Sequence, residues 1–229
     1  MKKKILLIGN NDGLPGVKID LINYRYYFCS SKGGGWNSDE IIEFINPSKL
    51  FIELQIAYLK LLKLDYLIVI FSGHGGMERE TVLELNEKGE QINESEFSNI
   101  APKQLTIFDC CRALSKPVYE NVNVVKKLSD GGVMSNRKLY EERINQALPQ
   151  QIKMYSCAIG EYSNDTSRGG VYSKNLLYNA LLCSDHFISI GKVHDLTANS
   201  IKKDYPDQNP ELIIPKLLSH QLLIFGVNA

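Results

Sequence analysis

Two apolar runs in this 229-residue chain each stop abruptly on reactive side chains, and that pattern narrows the fold more than any other feature. The first, Leu67-Ile68-Val69-Ile70-Phe71, runs into Ser72-Gly73-His74-Gly75-Gly76; the second, Leu105-Thr106-Ile107-Phe108, runs into Asp109-Cys110-Cys111-Arg112. Short runs of β-branched and aromatic residues bounded by polar or glycine-rich turns read as buried strands of a parallel sheet. In open α/β sheets the chemistry gathers where such strands end. If the two strands are neighbours, His74 and Cys111 face one another. A thiol beside an imidazole able to take its proton is the minimum apparatus for nucleophilic attack on a carbonyl.

Ser72-Gly73-His74-Gly75 and Asp109-Cys110-Cys111-Arg112 resemble the His and Cys motifs of the caspase-like cysteine peptidases, the clan of caspases, metacaspases and their prokaryotic relatives. His74 precedes Cys111 by 37 residues, fewer than the interval of about 50 in caspases but in the same order. The resemblance implies an α/β caspase-hemoglobinase fold, a mainly parallel six-stranded sheet sandwiched between helices, and a cysteine endopeptidase with a Cys-His dyad. It implies that His74 assists Cys111 and that the backbone amides of Gly75 and Cys111 hold the oxyanion. Cys111 rather than Cys110 takes the nucleophile's place because it immediately precedes Arg112, as in the Cys-Arg of caspases and the Cys-His of metacaspases. Metacaspases set an Asp two residues before the nucleophile into the specificity pocket. Here that residue is Asp109, so cleavage is expected after Arg or Lys. Asp12, in the loop after the first strand, is offered as the second wall of that pocket and serves equally well as a turn residue.

The same resemblance bears on metals and control. Glu94 and Glu96 stand where metacaspases carry an acidic segment of a calcium site, but Val118 and Tyr119 occupy the place of a matching Asp. Glu94 and Glu96 therefore read as a solvated, capped helix start; no cofactor is expected, and a calcium site at Glu94 and Glu96 stays open as the alternative without being predicted. Relatives are commonly held inactive until a linker between large and small parts is cut or displaced. Residues from about 116 to 138 occupy that place and offer Lys126, Lys127, Arg137 and Lys138 as basic cleavage sites, which implies a zymogen-like control. On this reading one peptidase domain spans 1–229, large-subunit-like over 1–125 and small-subunit-like over 139–229.

Lys plus Arg equals Asp plus Glu at 26 each, so nothing points to nucleic acid or an anionic membrane. Met1-Lys2-Lys3-Lys4 precedes too few apolar residues for a secretory segment, and no run is long enough to span a membrane. Five cysteines without C-x-x-C spacing fit a reducing compartment and not a structural zinc site. The expectation is a cytoplasmic monomer acting on protein substrates, with room for an activating protein partner.

Along the chain, Lys4–Ile8 reads as the first strand, followed by a helix carrying Val17, Leu21, Tyr24 and Phe28 on its buried face. Ile41–Ile45 is a second strand. Asn46-Pro47 starts a helix whose buried face is Leu50, Leu54, Ala57 and Leu61. Thr81-Val82-Leu83 reads as a small hairpin strand. Ser135 or Asn136 caps a helix with Leu139, Ile144 and Leu148 inward, Ile152–Cys157 is a fifth strand, and a helix lies around Leu176–Leu182. Gln221–Val227 is the final strand. Gly9-Asn10-Asn11-Asp12-Gly13 lacks both the dinucleotide fingerprint and a P-loop Lys, and no G-x-S-x-G elbow supports a serine hydrolase. A catalytically weak or inactive scaffold on the same fold is the alternative of a different class.

Overall fold

Each central strand carries apolar side chains on both faces, and the two faces enter different cores. In β1 (Lys3–Gly9), Ile5 and Leu7 join one buried cluster and Leu6 and Ile8 the other. The computed structural model describes residues 1–113 and 134–228, the backbone alone at 134 and 135. In chain order, α1 (Gly16–Cys29), β2 (Ile41–Ile45), α2 (Lys49–Leu61) and β3 (Tyr66–Ser72) follow β1. A small antiparallel sheet comes next, β4 (Gly75–Met77), β5 (Thr81–Glu84) and β6 (Gln91–Asn93), then β7 (Lys103–Asp109). The second half holds α3 (Met134–Gln146), β8 (Gln150–Tyr155), the ribbon β9 (Asp165–Thr166) and β10 (Gly169–Gly170), and α4 (Val171–Leu182). It ends with β11 (Phe187–Ser189), α5 (Ile190–Asp204), β12 (Glu211–Ile213) and β13 (Ile224–Val227).

The main sheet has six strands in the order β12-β8-β7-β3-β1-β2, parallel except for β12. Leu21, Tyr24 and Phe28 of α1, Tyr140 of α3, Leu176 of α4 and Val193 of α5 fill the core on one face. Ile52, Ile56 and Leu59 of α2 fill the other, together with Leu83 and Ile92 from the small sheet. Coverage on both sides explains why β3 is buried at all seven positions. Among the described residues no helix is long and apolar enough to cross a membrane.

Several sequence expectations are corrected. The face of α2 that meets the sheet is Ile52-Ile56-Leu59, whereas Leu50, Leu54, Ala57 and Leu61 point to solvent, Leu61 being 79% exposed. The helix starts after Ser48, whose hydroxyl accepts the Phe51 N–H, and not at Asn46, which turns with φ 51° and accepts the Asn11 N–H through its side chain. Ser135 and Asn136 lie inside α3, where Ile144 is buried and Leu139 packs partly buried against the same core as expected, joined by Tyr140, while Leu148 is exposed beyond the helix end. The sixth strand of the main sheet is Glu211–Ile213; the more apolar Ile224–Val227 pairs instead with Phe187–Ser189. Ile92–Phe97 divides into a strand and a 3-10 turn, and Glu94 is buried rather than solvated, paired with Lys153 at 2.9 Å and accepting from Tyr155 Oη at 3.0 Å. Of the expected linker, 134–138 is helical and Arg137 is tied to Glu40 and Glu141, while 116–133 lies outside the described residues.

Candidate active site

Strand register brings the two motifs together. β3 and β7 are parallel neighbours with Ser72 opposite Asp109, so His74 and Cys111 each stand two residues beyond a paired position. The strand ends remain joined past the sheet: Gly73 N–H donates to the Asp109 carbonyl at 3.1 Å, and Met77 N–H to the Ala113 carbonyl at 3.1 Å. Gly75 is pressed against this junction. A Cβ there would lie 2.7 Å from Cys110 Sγ and 3.0 Å from the Cys111 carbonyl oxygen, so only glycine lets the backbone approach this closely.

His74 is half-buried, and its Nε2–H donates to the backbone carbonyl of Asp12. That bond fixes the neutral ring as the Nε2–H tautomer and puts the accepting lone pair on Nδ1. Asp12 thus enters the site through its carbonyl; its side chain is exposed and does not line the pocket beside Cys111, contrary to the expectation for a second acidic wall.

The two thiols differ in surroundings. Cys110 packs into the core with Phe71 and Leu83, and burial pushes its thiol well above the usual range. Cys111 lines the pocket and is 4% exposed, its Sγ accepting the Ser163 N–H at 3.4 Å and donating to the Ser163 carbonyl at 3.6 Å. Burial pushes this thiol up to about 11 against the opposing pull of the Ser163 amide, so the resting group is a neutral thiol.

Beside Cys111 the pocket is lined by Leu14, Val17, Asp109, Ser163, Asn164 and Asp165, among others, and among the described residues none that lines it is Lys or Arg. Asp109 is buried; its Oδ1 accepts from Ser163 Oγ at 2.8 Å and its Oδ2 from the Ser173 N–H at 3.0 Å and Ser173 Oγ at 2.6 Å. Asp20 sits behind it, accepting from Ser72 Oγ at 2.8 Å and from the Gly170 N–H at 2.9 Å. A Cβ on Gly170 would fall 2.5 Å from Asp109 Oδ2 and 3.1 Å from Asp20 Oδ2, so the residue between the carboxylates must be glycine. Burial raises both carboxyls above their ordinary range, and for Asp20 the proximity of Asp109 adds to it. Asp165 is pushed up to about 6, by burial first and then by Asp109, eased by the Gly16 N–H and by His74.

Sequence reading singled out Asp109 but not Asp20, Asp165, Ser163 or Ser173. Asp20 had a visible signal, a carboxylate one helical turn from both Val17 and Tyr24 on the buried stripe of α1. Gln208 was likewise missed as a site residue: its amide donates to the Ser156 carbonyl at 2.9 Å while its oxygen accepts from Asn164 N and Nδ2, holding the segment that contacts Cys111. Glu94 and Glu96 lie away from this pocket.

A family model described as caspase domain matches residues 2–217. The structure resembles caspase-1 from Spodoptera frugiperda with a TM-score of 0.65 at 14% identity, covering 99% of this chain and 90% of that one. A protein from Geobacter sulfurreducens is similar at the same TM-score and identity, with 99% of each chain covered. At 14% identity these likenesses show the fold alone. Among curated proteins, none matches the sequence.

Proposed function

Because the chain belongs to the caspase domain family, we propose that it is a cysteine endopeptidase that cleaves protein substrates after Arg or Lys. The observation that carries the specificity is that Asp109 and Asp165 line the pocket beside Cys111, with Asp20 buried behind Asp109 and no basic residue on the lining among the described residues. Buried carboxylates that repel one another are relieved when a guanidinium or ammonium enters between them.

In the mechanism, substrate displaces the Ser163 backbone from Cys111, and Cys111 Sγ gives its proton to His74 Nδ1. The thiolate attacks the scissile carbonyl carbon, and the amides of Gly75 and Cys111 take the oxyanion. His74 then returns the proton to the leaving amine as the C–N bond breaks, leaving an acyl group on sulfur. Water, deprotonated by His74, attacks the thioester and releases the acid and the thiol. The Asp12 carbonyl keeps the ring in the tautomer this sequence requires. No step calls for a metal or cofactor. Five free cysteines support the cytoplasmic, reducing setting expected from the sequence.

Control through the linker is part of the same proposal. Lys126 and Lys127 are its cleavage sites, because Arg137 and Lys138 are held in α3. One observation favours the scaffold reading instead: the nucleophile is 4% exposed and its thiol is neutral at rest. Fluorogenic peptides ending in Arg, Lys, Asp or Leu, offered to wild type, Cys111→Ala and His74→Ala, separate the two. The peptidase reading expects turnover of the Arg and Lys peptides by wild type and below about 10⁻⁴ of that rate in either variant. No turnover of any peptide, by the intact chain or after limited proteolysis of the linker, would leave the scaffold.

A further inference from the structure

Helix α2 carries more apolar surface than its own fold uses. Of its thirteen residues only Lys49, Glu53, Gln55 and Lys60 are polar, and one apolar stripe, Ile52-Ile56-Leu59, is enough to cover the sheet. At about 100° per residue the second stripe, Leu50-Leu54-Ala57-Leu61, points the opposite way. Leu50, Leu54 and Leu61 are 66%, 58% and 79% exposed, and Phe51 and Tyr58 beside them 40% and 50%. Together these five present on the order of 500 Å² of surface, near the upper end of what a monomer leaves uncovered and more than half of the 800 Å² per partner of a standard stable interface. A single exposed leucine needs no explanation, but a contiguous row along the whole helix does.

The row has the spacing of a helix-pairing seam. Steps of four, three and four residues align Leu50, Leu54, Ala57 and Leu61, as the core positions of a two-helix pair are aligned. On one flank stand Phe51 and Tyr58, on the other Glu53 and Lys60, each pair seven residues apart. Phe51 is braced edge to face on Phe44 of β2, the ring centroids 4.7 Å apart. Glu53 and Lys60 are exposed, and among the described residues neither takes part in an ion pair. When two copies of a helix pack antiparallel about a two-fold axis, each flank meets its own counterpart, so residues seven apart face one another; packed parallel, each flank meets the opposite one. In the antiparallel pair Leu50 meets the partner's Leu61, and the small side chain of the partner's Ala57 makes room for Leu54. Phe51 meets the partner's Tyr58 and Glu53 meets the partner's Lys60, every contact occurring twice. Parallel packing would instead set both charges against an aromatic flank. The surface is complementary to itself in one orientation only.

We propose that α2 is a self-association surface through which two copies of this chain form a two-fold symmetric dimer with antiparallel α2 helices, in place of the monomer expected from the sequence. No residue that lines the pocket beside Cys111 belongs to α2, so the dimer stands independently of the peptidase reading. An interface of this size gives a dissociation constant on the order of micromolar, and more dilute protein is monomeric.

Sedimentation equilibrium over about 1 to 200 μM chain measures the association. Wild type should pass from monomer to dimer within that range, and Leu54→Glu, which puts a charge into the seam, should stay monomeric throughout. Glu53→Lys and Lys60→Glu each turn two attractive pairs into two repulsive ones and should weaken dimerisation at least about 10-fold. An equimolar mixture of these two variants restores both pairs between unlike chains, so it should dimerise within about threefold of wild type, as should the double variant Glu53→Lys/Lys60→Glu. All three positions are exposed, so each variant should keep the wild-type fold, which circular dichroism checks. A wild type that stays monomeric at the highest concentration overturns the proposal, as it would if another segment or a different protein covered the stripe. A dimer untouched by Leu54→Glu lies on another face and overturns it as well. Two weakened charge variants that do not recover on mixing exclude the antiparallel pairing and the proposal with it.

Discussion

Protonation governs the behaviour of single residues in this site. Cys111 holds its proton at neutral pH because burial pushes it up to about 11, so iodoacetamide should label the resting protein slowly at pH 7 and increasingly as pH rises toward 11. A pH-independent rate would contradict the neutral thiol. Cys110→Ala should keep activity, since Cys110 borders the pocket but packs into the core with Phe71 and Leu83, and burial holds its thiol protonated. Asp165 moves from an ordinary 3.8 up to about 6 in the fold. A raised carboxyl favours the folded state fully below the unfolded value, and that advantage is lost as pH rises through about 6. Above that pH the ionised group is a burden on the fold, so Asp165→Asn should raise the melting temperature more at pH 7.5 than at pH 4. Scanning fluorimetry at the two pH values checks this, and an equal change at both would refute it. Asp109 was legible in the sequence because it belongs to the motif. Asp165 was not, because its place on the pocket wall is set by tertiary contacts with residues as distant as Gly16, whose N–H its Oδ2 accepts.

Elements were legible where periodicity had one solution. The stripe Val17-Leu21-Tyr24-Phe28 is the only apolar face α1 offers that closes on the sheet, and it is the buried one. In α2 two apolar stripes interleave at the same period, Leu50-Leu54-Ala57-Leu61 and Ile52-Ile56-Leu59, and spacing alone does not choose between them. Tertiary packing chose the second. Accordingly Ile56→Ala should cost about 2–5 kcal/mol in urea unfolding, as expected for a buried large-to-small change, and Leu54→Ala no more than about 0.5 kcal/mol. Comparable losses would mean that α2 packs on the other face. The sixth strand was missed for a related reason. Glu211–Ile213 is short and partly exposed and announces itself less than Gln221–Val227, yet it is the segment that reaches the β8 edge.

At the scale of the whole molecule, topology accounts for the site. Parallel order puts the ends of β1, β3 and β7 on one side, where His74 donates to the Asp12 carbonyl and Cys111 lines the pocket, and α1 and the β9–β10 ribbon complete its wall. The sheet and the adjacency of the two motif-bearing strands were therefore legible in the sequence, whereas the pocket wall, assembled from α1 and the ribbon across 149 positions of sequence between Gly16 and Asp165, was not. If the chain processes itself, mass spectrometry should place new termini after Lys126 or Lys127 in wild type and nowhere in Cys111→Ala; termini after Arg137 or Lys138 would require α3 to open. The central claim, a thiol nucleophile at Cys111 served by a pocket for basic residues, has one most direct measurement. Wild type is incubated with irreversible peptidyl chloromethyl ketones ending in Arg or in Asp, and the adduct is located by peptide mapping. The account predicts a single adduct on Cys111 with the Arg reagent, forming at least about 100-fold faster than with the Asp reagent. An adduct on Cys110, or equal or faster reaction with the Asp reagent, would contradict it.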